Sequence, residues 1–234
     1  MSISEIAAAA STSLSPLLVL ASASPARRKL LEDSGVRFMV LVSSVDEDAV
    51  LEAASARTAA AGEPPLSPAA TAQLLAEAKA GAVATELRAA GVSNVLVLGC
   101  DSVFEVGGIA YGKPHSPQVA RERISAMSGS HGVLHTGHAL IDLRDPDSAQ
   151  VEQLRSASVF FDSMSEAEID AYIATTEPLE VAGSFTLDGY GAAFISRIEG
   201  EFHTVVGLSI QALRVMLAER GLSMMDFWVA PAER

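Results

Sequence analysis

The first three cationic side chains of this sequence, Arg27, Arg28 and Lys29, follow directly on Ser22-Ala23-Ser24-Pro25-Ala26. Serine followed by proline marks a helix start, with Ser24 as N-cap and Pro25 at the first helical position. Cations at that end oppose the helix macrodipole, each at a cost of about a few tenths of a kcal/mol. A bound phosphate removes the conflict, because free backbone N–H groups, two serine hydroxyls and an arginine fork would all point at it. The competing reading is that the arginines splay into solvent and Ser24 only caps.

Carboxylates supply the second candidate chemistry. Asp101 follows the apolar run Asn94–Leu98, and Glu47 sits in the acidic run Asp46-Glu47-Asp48 after a second strand-like segment, Arg37–Ser44. Strand ends in α/β sheets are where ligands collect. Carboxylates converging there suit Mg²⁺ or Mn²⁺, hard cations that prefer oxygen and bridge to phosphates; the alternative is that each caps a turn. Gly107–Lys113 nearly spells a P-loop, but Pro114 stands where a hydroxyl should be, so it is not one. Lys113 in its Gly-Lys-Pro turn is either a point charge for a phosphate or a solvent lysine. His131, His135 and His138 suggest zinc, but on a strand the first two share a face and His138 points away, which argues against a common metal. There is no nucleophile elbow, and Cys100 lacks an activating base, so it reads as a packed residue.

The elements that must position these groups follow from caps and periodicity. Residues 1–15 read as a loose lead-in, Leu17–Leu20 as a buried strand, and Pro25 onward as a helix closed by Gly35. Residues 51–70, rich in Ala with Gly62, Pro64, Pro65 and Pro68, read as a loop or lid insertion, and an Ala-rich helix follows over about 69–90. Gly107-Gly108 predicts a hairpin turn, Ser116-Pro117 starts a helix that stops near Ser128-Gly129, and Leu134–Leu143 and Gln150–Asp162 are strands around a turn at Asp145-Pro146-Asp147. Ser165 and Glu168 form a capping box, Glu177–Gly191 is a Gly-punctuated loop and strand, Leu208–Glu219 is a last helix, and 223–234 a tail. The expected architecture is α/β (mixed α+β): one domain over 16–222, with flanking helices on an elongated mixed sheet that forms two lobes around a cleft.

Composition narrows the partners. The chain has 234 residues, 49% hydrophobic and 19% charged, so a sizeable core is available. Its 29 Asp and Glu against 16 Lys and Arg give a net charge of −13, which disfavours nucleic acid and anionic membranes as partners; any anion site must be local. One cysteine excludes an intrachain disulfide. Leu17–Ala23 imitates the apolar part of a signal peptide, but no Lys or Arg precedes it and Glu5 occupies the n-region, so the expectation is a cytoplasmic protein.

Taken together, the segments resemble the Maf family of septum-formation-inhibitor-like nucleotide pyrophosphatases, in order and from about Leu17 to Leu217. The likeness is carried by Leu20-Ala21-Ser22-Ala23-Ser24-Pro25 with Arg27 and Leu30-Leu31, by Val45-Asp46-Glu47, by Ala78-Lys79-Ala80 and by Asp101-Ser102-Val103. It continues through Gly112-Lys113-Pro114, Ser128-Gly129 with His131, Thr136-Gly137, Glu177-Pro178, Ala182-Gly183, Gly189 and Val206-Gly207-Leu208.

The resemblance implies a fold shared with inosine-triphosphate pyrophosphatases, a homodimer, a divalent cation and hydrolysis of a nucleoside triphosphate between its α and β phosphates. It implies Asp101 as general base and metal-associated carboxylate, Glu47 as a further metal ligand, Ser22, Ser24 and Arg27 on phosphate, and Lys79 and Lys113 as neutralising charges. The alternative is a nucleotide-binding regulator of septum formation with little turnover. Ala26 stands where the family often has arginine, Val181 where lysine is common, and Leu187-Asp188-Gly189 where many members have Ile-Gln-Gly. Asp188 lies where the family tunes its cleft and base recognition, an acidic residue marking a 7-methylguanosine branch and glutamine a dTTP/UTP branch, so the resemblance leaves the base open.

Overall fold

The computed structural model describes residues 1–145, 147 and 149–229. In chain order they form α1 (Ile3–Thr12), β1 (Leu17–Leu20), α2 (Pro25–Asp33), β2 (Met39–Val40), α3 (Glu47–Ala61), α4 (Pro68–Ala89), β3 (Val95–Val106) and β4 (Ile109–Tyr111). Then come α5 (Pro117–Met127), β5 (His131–Asp142), β6 (Val151–Phe161), α6 (Glu166–Ala174), β7 (Ile195–Glu199), α7 (Phe202–Val206) and α8 (Ile210–Glu219). Seven strands make one mixed sheet in the order β2-β1-β3-β5-β6-β7, with β4 paired to β3. β1 is parallel to β2 and β3, and the other pairs are antiparallel. The mixed α/β class expected from the sequence is what forms.

Alternation along β3 decides which helices pack where. Leu96, Leu98 and Cys100 join Leu30 and Leu31 of α2 and Leu213, Met216 and Leu217 of α8 on one face. Val95 and Val97 join Ile6 and Ala10 of α1 and Ala80, Val83 and Leu87 of α4 on the other. At the far end of the sheet a third core gathers Phe104, Leu134 and Val159 with Ile124 of α5, Ile169 of α6 and Phe185. There Phe104 meets Phe161 and Phe185 edge-on.

One edge of β3 is interrupted. β1 pairs with Val95–Leu98, and β4 returns through the Gly107-Gly108 turn to pair with Phe104–Val106. Both turn glycines have positive φ, as the tight hairpin requires. Among the described residues no strand pairs the same edge over 99–103, although β5 pairs β3 without a break from Leu96 to Glu105. Asp101 and Ser102 lie in that opening.

Several expectations from sequence are corrected. Residues 1–15 are not loose: Ile3–Thr12 is a helix with a Ser2/Glu5 capping box, and Ile6 and Ala10 are buried. Most of 51–70 is no lid loop, because α3 runs to Ala61 between N-cap Asp46 and a left-handed Gly62; every breaker of the segment lies after that point. The strand expected over 37–44 shrinks to Met39–Val40, the length that the end of β1 can pair. Within 223–229, Phe227 is buried and Trp228 bridges Val36, so this stretch packs on the body. Pro146 of the expected turn and residues 230–234 of the expected tail lie outside the described residues.

Candidate active site

The centre of the site is set by backbone contact between helix and sheet. Ala72, Ala76 and Ala80 recur every four residues on α4 and are fully buried. They face Gly99 of β3 and Gly137 of β5 so closely that a Cβ on Gly99 would fall 2.2 Å from the Ala76 carbonyl, and one on Gly137 2.5 Å from that of Ala72. This approach lowers Lys79 onto Asp101, which pairs with Gly137.

Lys79 Nζ donates to Asp101 Oδ1 at 2.5 Å and lies 2.8 Å from Glu47 Oε1. Lys79 and Asp101 are each 12% exposed and Glu47 50%. Glu47 is not at a strand end: it is the first residue of α3, while Asp46 caps that helix by accepting from Ala49 N at 3.0 Å. Asp101 is not at a strand end either but mid-strand, because β3 continues past the end of β1. Burial raises the Asp101 pKa; Lys79 and Arg27 pull it down, Glu47 adds to the rise, and the net direction is up. A carboxyl held above its ordinary value accepts a proton more readily than a free aspartate does.

Of the three clustered cations, only Arg27 turns inward; Arg28 and Lys29 are exposed, and Lys29 pairs with Asp33 one turn on. Arg27 is 8% exposed and donates from Nε to Gly207 O (2.7 Å), from Nη1 to Ser22 Oγ (3.1 Å) and from Nη2 to Ser102 Oγ (3.1 Å). Thr136 donates its proton to Thr204 O at 2.8 Å, so Ser102 donates to Thr136 at 3.0 Å while accepting from Arg27. The guanidinium thus has neutral oxygen acceptors and no carboxylate among the described residues. A buried cation so held attracts an anion. Ser24 caps α2, its Oγ accepting from Arg27 N, and Ser22 Oγ accepts from Ser24 N just before the helix. Neither hydroxyl proton has an acceptor among the described residues, so both are free for a ligand oxygen.

Lys113 follows β4 at the far side of the opening, exposed and without an ion pair among the described residues. Its turn is anchored by Arg123, which donates to Gly112 O. Asp188 is exposed in the segment after α6, and its charge helps hold the Lys29 pKa up. The structure therefore joins Glu47, Lys79 and Asp101 directly and links them through Asp101-Ser102 to Arg27, Ser22 and Ser24. It leaves Lys113 and Asp188 without direct contact to that cluster.

The histidines part company, as the strand pattern anticipates. His131 stacks on Phe160, and His135 lies between Ser156 Oγ (2.8 Å) and Glu105 Oε2 (3.0 Å). His138 is buried, donating from Nδ1 to Gln153 O and accepting from Ser209 N at Nε2. Burial lowers its pKa to about 4. Burial likewise pushes the Cys100 thiol up to about 12, which leaves it unreactive.

Sequence reading gave no role to Ser102, Thr136, Gly207 or Glu177, although each lies in a quoted motif. Nothing local marks Gly207 as a partner of Arg27, and the partners of Glu177 include Thr186 and Gly191, nine and fourteen residues along the chain. As a cation site, Glu47 and Asp101 offer two carboxylates, and no group of three or more His, Cys, Asp or Glu is present among the described residues. Lys79 already places a positive charge between the pair. That donor set fits a hard cation completing its shell with phosphate oxygens.

Fold and site together define a mixed α/β protein with a buried arginine on neutral acceptors beside a carboxylate pair. Residues 17–220 match the family described as Maf-like protein, and the chain belongs to the Maf family. It is 47% identical over 212 residues to the nucleoside triphosphate pyrophosphatase of Leifsonia xyli, covering 90% of this chain and 96% of that protein. It is 48% identical over 218 residues to the one from Salinispora tropica (93% and 90%) and 43% over 210 to that of Gloeothece citriformis (90% and 97%). No described helix is long and apolar enough to cross a membrane.

Proposed function

We propose that this protein is a nucleoside triphosphate pyrophosphatase that cuts between the α and β phosphates. The observation that carries the reading is Arg27, a buried guanidinium with only neutral acceptors, one strand residue away from a carboxyl of raised pKa. The close relatives' names agree with it.

In this reading the triphosphate lies across the opening in β3, in a cleft between the two ends of the sheet. Arg27 and the free protons of Ser22 and Ser24 hold phosphate oxygens, with Lys113 closing from the β4 side. Asp101 orients a water and takes its proton as the oxygen attacks the α-phosphorus; the bond to the bridging oxygen breaks, and pyrophosphate leaves with that oxygen. Positioning and fixed positive charge supply most of the rate in such a transfer. Lys79, once the ligand competes for its carboxylates, neutralises developing charge. A divalent cation, Mg²⁺ or Mn²⁺, held by Glu47 and Asp101 would polarise phosphate oxygens. Asp188 contacts the nucleoside end, and the substrate range extends to modified nucleotides beyond dTTP and UTP. The protein acts in the cytoplasm as a homodimer, in keeping with the family.

The test is product analysis over a panel of ordinary, 7-methylated and deaminated triphosphates, with and without Mg²⁺ or Mn²⁺. Monophosphate and pyrophosphate are expected. Inorganic phosphate as the product would make it a phosphatase, and nucleotide binding without turnover would make it a regulator. A sharp dTTP/UTP preference would overturn the broad range.

A further inference from the structure

Glu177 is half-buried, and no cation pairs with it among the described residues; four donors converge on it instead. Its Oε1 accepts from Tyr172 OH (2.9 Å), Thr186 Oγ1 (2.6 Å) and Gly191 N (3.0 Å), and its Oε2 from Tyr190 N (2.9 Å). The chain laps over the carboxylate so closely that a Cβ on Gly189 would lie 2.2 Å from Oε2. Burial alone would raise the Glu177 pKa, but the bonds from Thr186, Tyr190, Gly191 and Tyr172 outweigh it and the net direction is down. One anion therefore gathers both ends of the turn from Thr186 to Gly191.

What the turn presents is specific. Leu187 packs into the third core, while Asp188 and Tyr190 are exposed, Tyr190 to 68%. The chain leading into the turn meets β3 just past the opening, where a Cβ on Gly183 would lie 2.7 Å from the Phe104 ring, and the Asp188 charge reaches Lys29, two residues beyond Arg27. An acceptor-only carboxylate beside an open aromatic face offers the two contacts by which a base is read, a hydrogen bond at its edge and stacking on its plane. Thr176 and Ser184, with φ of +65° and +61°, both precede the turn in conformations that L side chains rarely adopt, so the chain leading into it does not take its shape on local preference alone.

We propose that Glu177 is a positioning residue that clamps the Thr186–Gly191 turn, fixes Asp188 and Tyr190 at the rim of the site, and so sets discrimination among nucleosides. This rests on the nucleotide reading above. The experiment is Glu177→Gln, which keeps the shape but turns one acceptor into a donor facing donors. Over the nucleotide panel, kcat/KM for the best substrate falls about tenfold, the equivalent of one hydrogen bond, mainly through KM. The spread of kcat/KM across bases narrows. Inorganic tripolyphosphate, which has no base, binds within about twofold of its native affinity by calorimetry, as its contacts at Arg27 are untouched. An unchanged spread, or tripolyphosphate weakened as much as nucleotide, overturns the proposal. Thr186→Val, which removes one donor only, gives the same pattern at smaller size and serves if Glu177→Gln fails to fold. Amide exchange at Tyr190 and Gly191 reads the clamp without catalysis: faster exchange in the variant supports it and unchanged exchange overturns it. If the native protein turns over no nucleotide, the proposed function has failed and this exchange result still decides the clamp.

Discussion

Asp101 and Glu177 are both carboxylates withdrawn from water, and their surroundings push them in opposite directions. Around Asp101, burial outweighs one ammonium and a nearby guanidinium, and its pKa rises. Around Glu177, four aimed donors outweigh burial, and its pKa falls. Asp101 is the more deeply buried of the two and its ammonium partner Lys79 must also serve Glu47, whereas Glu177 is only half-buried and has four donors within hydrogen-bond distance. The first carboxylate is left wanting a proton and is fit for chemistry; the second is content as an anion and is fit to hold structure.

The contrast breaks first at Asp101→Asn, expected to lose a factor on the order of 10²–10⁴ in kcat. A raised folded pKa contributes stability that is present at low pH and lost as pH rises through the folded value. Removing the charge therefore leaves the melting temperature near neutral pH no lower than native; a marked fall in calorimetry would refute that assignment. Glu177→Gln has the opposite sign. Its lowered pKa gives stability present above the unfolded carboxyl value and lost as pH falls through the folded one. The variant should be about 1–3 kcal/mol less stable to urea near neutral pH, and the gap should close in acid. Gly189→Ala forces the Glu177 carboxylate aside and is expected to cost about 1–2 kcal/mol in the same assay. The smallest effect is a shift: in Lys79→Met the carbon-13 titration of Asp101 moves to higher pH, since the ammonium now lowers it. A downward move would show that Lys79 does not set that carboxyl.

Signals confined to a few residues were legible in the sequence. The Ser24-Pro25 cap, the Gly107-Gly108 turn, the Ser165/Glu168 box and the long Ala-rich helix all form where their residue types put them. Alanine runs were less legible: 47–61 buries only Ala54, so helix propensity had to decide there, whereas 3–12 carries its signal in the Ser2/Glu5 box and the spacing of Ile6 and Ala10. Which of three adjacent cations turns inward depends on a carbonyl 180 residues along the chain. The mid-strand place of Asp101 depends on β5, whose pairing no local pattern announces. The site residues were thus recognisable as types, while their division between grip and base needed the fold.

The long strands β3, β5 and β6 run from the first two cores to the third, joined by ten consecutive residue pairs in each ladder. Flexing one end against the other would break that ladder, so the protein has the mechanics of a rigid frame rather than a clamshell. Closing on a ligand falls to the short turn at the rim that carries Lys113, because the turn that carries Asp188 is already held by Glu177. The entropic cost of binding then rests on the flexible triphosphate itself, and association should proceed in one kinetic phase without a slow closing step.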